Sequence, residues 1–404
     1  MAPKSIKIRA MKKTLYGLLL LAAAGIAVSA AFGSCRRRQS GSIASDTVWK
    51  GRVKLTGDVV VERRAALTVE AGTIIYYAGK ADKQVRYIRE EASGPFNILQ
   101  NEKIEILVEG KLNIRGTAEK PVKFIESPSF GGIVFLGNNP SEISFTEFTG
   151  GDVPVRVYGE NKVVISNSIF RDAELAGIGY WDLAGGKITN SVFENCRHAI
   201  GVSDFAAPEI SSSSVLFSKM AGIFCEGNSA PVITGCRIEG NNAGIAAGGI
   251  SAPKIFSSSI LGNGAGVSVW SKASVVIEDC RIMKNVSGVF FQDEGAGTVS
   301  NSLLSYNGAA VSAAAVSRPV IDGNVFTGND SAVILRDNSS ASISNNTISG
   351  KEGIQLAELS RARITHNSFS DCLTAVKLTN RSSAVLQSNS MSAVKNTLVD
   401  ERVK

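Results

Sequence analysis

Asp182, Asp204 and Glu226 follow one another at intervals of 22 residues, and Tyr180, Trp181 and His198 stand close to them in the chain. Two carboxylates held side by side raise one another's pKa, so that one can serve as acid and the other as base. Such a pair suits glycosidic-bond hydrolysis, and flat aromatic rings suit the faces of sugars. A second group, Trp270, Gln292, Asp293 and Glu294, repeats the mixture of ring and acid across the same interval. Two blander readings compete with catalysis. The acids are polar residues that simply face water, or they bind sugar or a cation without chemistry. The choice depends on what the interval builds.

Ile233, Ile255, Ile277, Val299, Ile321 and Ile343 are spaced by 22 residues, and Ile188, Ile364 and Leu386 extend the series with single-residue adjustments. A fixed period of this size marks a stacked-repeat architecture. After each anchor, apolar residues recur five, twelve and fourteen positions on, as Phe326, Val333 and Leu335 do after Ile321. Short β-branched runs broken by Gly, Asn, Ser and Pro read as strands and tight turns, not as the helices of leucine-rich or tetratricopeptide arrays. A coil of about 22 residues with three short strands winds into an all-β parallel β-helix, with coils about 4.8 Å apart. A slip in register would push apolar side chains out of the core.

Stacking converts 22 residues of chain into one step of height. Asp182 and Asp204 then lie about 5 Å apart in one outward file, with Glu226 a coil further on. Asn241, Asn263, Asn285, Asn307 and Asn329, each eight residues after an anchor, form a ladder. There Asn tolerates a left-handed turn and its amide donates to the next rung. Pro208, Pro231, Pro253 and Pro319 precede anchors at corners, where a missing N–H breaks no ladder.

The region from Asp46 to Gly150 reads as earlier coils of the same solenoid. In it, "WKGRVKLTGDVVVERRAALTVEAGTIIYYAG" and "IEILVEGKLNIRGTAEKPVKFIE" resemble the opening of bacterial β-helix envelope proteins through Trp49, Gly51, the stretch Leu67 to Ile74 and the stretch Val108 to Phe124. Most of the chain resembles the right-handed parallel β-helix proteins of the pectate-lyase-like superfamily. That resemblance implies fold far more strongly than function. The Asn-Thr-Asp, Asp-Asp, Gly-His-Gly and Arg-Ile-Lys motifs of polygalacturonase-like enzymes are absent, as are the lyase Trp-x-x-Asp-His and the calcium-binding Gly-Gly-x-Gly-x-Asp. The reading favoured here is noncatalytic binding of an extended polymer, such as polysaccharide, on the side wall, with Tyr180, Trp181, Trp270 and Asp293 as contacts. Its rivals are a polysaccharide lyase, hydrolase or epimerase using Asp182, Asp204 and Glu226, and a structural spacer or adhesin.

The amino terminus points to export into a bacterial cell envelope. Thr14 to Ser34 is uncharged and follows Lys12 and Lys13, as a secretory signal does. "FGSC" resembles a lipobox, which makes Cys35 the lipidated residue; plain secretion with cleavage after Ala30 or Ala31 and an uncleaved membrane anchor are the alternatives. The expected organisation is signal or anchor over 1–34, linker over 35–45, irregular coils over 46–164 with a charged insertion at 80–103, and regular repeats over 165–404. Of 43 Lys and Arg, five precede position 34, leaving 38 against 36 acids. That near-balance carries no electrostatic footprint for nucleic acid.

Cys196 and Cys372 fall at the Asn-ladder position, while Cys236 and Cys280 share a file two coils apart, roughly 10 Å, beyond disulfide reach. Cys225 falls among inward positions, so all five read as buried small residues. No metal or cofactor is expected. His198 and His366 read as turn residues at solvent. The terminal "LVDERVK" reads as a charged segment that blunts the open end of the stack.

Overall fold

The computed structural model describes residues 37–78 and 103–402. The N-terminal segment 1–34, Cys35 and residues 80–102 of the expected insertion lie outside the described residues. Within them the anchors stack as the spacing requires. Ile188, Ile210, Ile233, Ile255, Ile277, Val299, Ile321, Ile343, Ile364 and Leu386 are successive register partners in one parallel sheet. That sheet has 15 strands, one per coil, and the remaining strands of the coils join into a second sheet of 28. The interior is filled file by file. Phe148, Phe170 and Phe193 stack with centroids 4.8 Å apart at each step, so that identical side chains pack face over face at the coil spacing.

Each regular coil turns through three corners, and each corner holds one residue in the left-handed region. In one coil these are Asp279, Lys284 and Asp293, at φ 54°, 58° and 55°. The asparagine ladder lies beside such a corner. Asn263 Nδ2 donates to Asn285 Oδ1 at 3.0 Å, and Asn285 Nδ2 donates to Asn307 Oδ1 at 3.0 Å. The left-handed residue, however, is the one before each rung, Gly262 or Lys284, and not the asparagine. The asparagine is instead an inward-pointing, buried group that satisfies main-chain donors and acceptors. A second ladder, Asn324, Asn346, Asn367 and Asn389, does the same at another corner.

Two details, the strand Arg37–Ile43 and the burial of His198, depart from expectation. Arg37–Ile43, assigned to a linker by its polar composition, is a strand paired in parallel with Arg52–Val61. Asn396–Arg402 is the last strand of the stack, paired with Thr374–Asn380. His198 is not at solvent; it opens the strand His198–Val202 and is buried. His366 does sit exposed at a corner, with φ 57°. Cys196, Cys225, Cys236, Cys280 and Cys372 are free and buried. Burial pushes the Cys225 thiol up to about 12 and those of Cys196 and Cys280 to about 11, so none is a reactive thiolate at neutral pH.

Candidate functional site

Two of the acids proposed for chemistry, Asp182 and Asp204, share one corner file with the proposed contact Asp293. Asp182, Asp204 and Asp293 are left-handed, at φ 58°, 56° and 55°. Asp tolerates this conformation better than most residues because its short polar side chain bonds locally. Each carboxylate also closes a main-chain bond across coils. Asp182 Oδ2 accepts from Gly159 N at 2.9 Å, Asp204 Oδ2 from Asp182 N at 3.1 Å, and Asp293 Oδ2 from Ser271 N at 3.0 Å. The same device recurs at Asp337, which accepts from Ala315 N at 2.8 Å. These acids are corner braces, and their repetition is explained by that role. Glu226 does not extend the pair, because the partner of Asp204 in the next coil is Gly227, and Glu226 stands in the neighbouring file after Ser203.

The aromatic residues divide differently from expectation. Tyr180 points inward, in a core file between Val157 and Val202, and is fully buried. Desolvation drives its phenol far above the ordinary range. Trp181 points outward but is 1% exposed. Its indole folds back across Gly179, where a Cβ would collide with the ring, and stacks on Tyr158 at 4.8 Å. Neither Tyr180 nor Trp181 offers a free platform. Trp270 is half-buried and lies across Gly248 in the same manner, 6.1 Å from Phe224.

Phe224 and Phe290 were missed from sequence although alternation within their strands marks both as outward. They belong to one file that runs Phe224, Ala246, Ser268, Phe290. Together with Tyr158 and Trp270 they form a stripe of half-buried rings along the outer wall. From Tyr158 to Phe290 it covers six coil steps, roughly 29 Å at the ordinary strand spacing. His198 supports the stripe from beneath, edge-on to Phe224 at 5.3 Å. Its Nδ1 accepts from Ala221 N at 3.4 Å, and burial, with Arg197 adding to it, lowers its pKa to about 4. The imidazole is therefore neutral at pH 7.

Toward the amino-terminal coils the stripe ends in a buried ionic group. Arg156 donates from Nη1 to Glu105 Oε1 at 2.8 Å and from Nη2 to the Gly131 carbonyl, and Glu105 N donates to Asp58 Oδ1 at 2.9 Å. Lys103 pairs with Asp152 at 2.9 Å. Gly131 leaves the space that the Glu105 side chain fills. Burial raises the Glu105 pKa, and the Arg156 guanidinium opposes that rise. Glu105 and Arg156 lie 51 positions apart in irregular coils, so no periodic signal announced them. Among the described residues no group of three or more His, Cys, Asp or Glu could hold a metal.

The sequence matches the family described as right handed beta helix region over residues 122–249, 176–326 and 309–400. The chain belongs to that family. No curated protein matches it by sequence. Among solved structures the β-helix is similar to the periplasmic alginate epimerase AlgG, at 11% identity and TM-score 0.39, covering 86% of this chain and 78% of that one. It is also similar to the A-module of the Azotobacter vinelandii mannuronan C-5 epimerase AlgE4, at 12% identity and TM-score 0.38, over 90% and 91% of the two chains. The catalytic domain of a GH87 α-1,3-glucanase in complex with nigerose matches at 11% identity and TM-score 0.32, over 88% of this chain and 64% of that one. At these identities the likeness concerns the fold of the β-helix alone.

Proposed function

We propose that the protein is an exported β-helix whose outer wall binds an extended polymer, a polysaccharide, without transforming it. The observation that carries this reading is the stripe of Tyr158, Phe224, Trp270 and Phe290, half-buried rings separated by Ala246, Gly248 and Ser268. Small residues between fixed rings leave a straight, shallow track, and the apolar faces of sugar rings stack on such platforms. Asp182, Asp204 and Asp293 support a noncatalytic role because their carboxylates are already engaged by main-chain N–H groups. Fixed by cross-coil bonds, they border the track and remain contacts for sugar hydroxyls.

The test is glycan-array binding by the full chain. Binding to a linear glycan that weakens about tenfold in Trp270→Ala or Phe224→Ala, with unfolding unchanged, supports the reading. Absence of binding to every neutral and acidic glycan overturns it. The rival, catalysis, draws on the buried Glu105 carboxyl beside Arg156; it predicts product formation that disappears in Glu105→Gln or in Asp204→Asn. For the amino terminus, lipid on Cys35 is the proposed attachment to the envelope. Metabolic labelling with a fatty acid, abolished in Cys35→Ala, tests it.

A further inference from the structure

The last four coils carry a second surface, on the outward face of the anchor sheet. One file runs Arg318, Ser340, Arg361, Ser383, and the file two residues along the strands runs Val320, Ser342, Arg363, Val385. At the corner before them runs Val316, Asn338, Leu359, Arg381. These twelve positions hold four arginines, four aliphatic residues and no carboxylate. Val316, Val320, Leu359 and Val385 are 40%, 40%, 49% and 60% exposed, and all four arginines are exposed.

At two other places on this wall, charge is cancelled from one coil to the next. Lys187 pairs with Glu209 at 2.8 Å, and Lys272 with Glu294 at 3.9 Å. Serines adjoin Arg318, Arg361 and Arg363 in their files instead, and none of the four arginines forms an ion pair among the described residues. Acids that border the grid are engaged in bonds of their own, Asp337 accepting from Ala315 N at 2.8 Å. Asp322 accepts from Ser344 Oγ at 2.7 Å and from Asn345 Nδ2 at 2.8 Å, and Glu358 accepts from Asp337 N.

We propose that this face docks on an anionic lipid surface. Guanidinium forks match phosphate oxygens, and the aliphatic side chains between them enter the headgroup boundary. From strand and coil spacings the grid measures roughly 13 Å by 14 Å, with three of its arginines on the sheet face and Arg381 at the adjoining corner. A soluble polyanion would use the arginines and serines but leave the exposed aliphatic residues unexplained. Single-stranded nucleic acid would call for aromatic stacking platforms, which the grid lacks.

The experiment is hydrogen exchange of the full chain mixed with vesicles of phosphatidylcholine alone or with phosphatidylglycerol. Slowed exchange confined to 314–322, 336–344, 357–365 and 379–387, and only with phosphatidylglycerol, is the expected result. Replacing Arg318, Arg361, Arg363 and Arg381 by Ser lowers the docking equilibrium roughly a thousandfold and abolishes the slowing. The fourfold Lys variant retains it, and Leu359→Ser with Val385→Ser weakens it. Serine already fills this file at Ser340 and Ser383, and unchanged exchange in the stack from Phe148 to Phe193 verifies folding. No phosphatidylglycerol-dependent slowing overturns the proposal. So does slowing that survives the fourfold Ser variant, or slowing given by dextran sulfate or single-stranded DNA but not by vesicles.

Discussion

Asn285→Ala removes four hydrogen bonds from the middle of the ladder that runs from Asn241 to Asn329. Asn285 Oδ1 accepts from Asn263 N at 2.8 Å and from Asn263 Nδ2 at 3.0 Å, while Asn285 Nδ2 donates to Asn307 Oδ1 at 3.0 Å and to the Ile260 carbonyl at 3.2 Å. The side chain is 2% exposed, so water does not replace these partners. At about 1 kcal/mol net for each bond, the loss is about 4 kcal/mol. Asn389→Ala provides the comparison. Asn389 is the last rung, half-buried, and its partners gain water when it is removed, so about 1 kcal/mol is expected. Urea unfolding of the full chain measures both. Native-state hydrogen exchange should place the Asn285→Ala loss in coils 255–307, since each coil of a solenoid couples mainly to its neighbours. A cost below about 1 kcal/mol for Asn285→Ala, the range of a surface substitution, would refute the reasoning.

Lys284 occupies a left-handed corner at φ 58°, in a file where Gly240, Gly262 and Gly328 also appear. Lys284→Gly should stabilise by about 0.5–1 kcal/mol, because relieved strain exceeds the extra entropy of an unfolded glycine; a loss of stability in the same urea titration contradicts this. Arg156→Ala leaves Glu105 buried without its cation and should cost about 3–5 kcal/mol, whereas Arg156→Met with Glu105→Gln costs much less; equal costs would mean that the pair is not coupled. His198 has a depressed pKa, so its neutral form contributes stability above pH 6.5 that is lost as pH falls toward about 4. The unfolded chain takes up the proton first, and the loss reaches up to about 3 kcal/mol. A His198→Gln variant, still containing the exposed His366, should lack that slope; an unchanged profile would contradict the assignment.

The fold was legible because a parallel solenoid turns chain distance into height, and Ile233 through Ile343 keep one interval. The Asn ladder was legible for its amides but not for its corners, since Gly262 and Lys284 share nothing in composition that marks a left-handed residue. Arg37–Ile43 could not be read as a strand, because RRQSGSI has no apolar alternation and its pairing comes from the coil above. The candidate site was legible only in outline. Trp181 faces outward as its position implies, yet Tyr158 and Phe224 help to bury it, and such neighbours cannot be counted from one file. Asp182 and Asp204 drew attention by repeating, and the repeat reflects corner geometry. Glu105 and Arg156 meet across irregular coils where no period links them.

Affinity measured against polymer length tests the account most directly. A graded series of one linear glycan should bind the full chain more tightly with each added unit until it spans the roughly 29 Å from Tyr158 to Phe290, and then level off. In Trp270→Ala the gain should stop short. Affinity that is independent of length, or a series that Trp270→Ala leaves unchanged, would contradict a track along the wall.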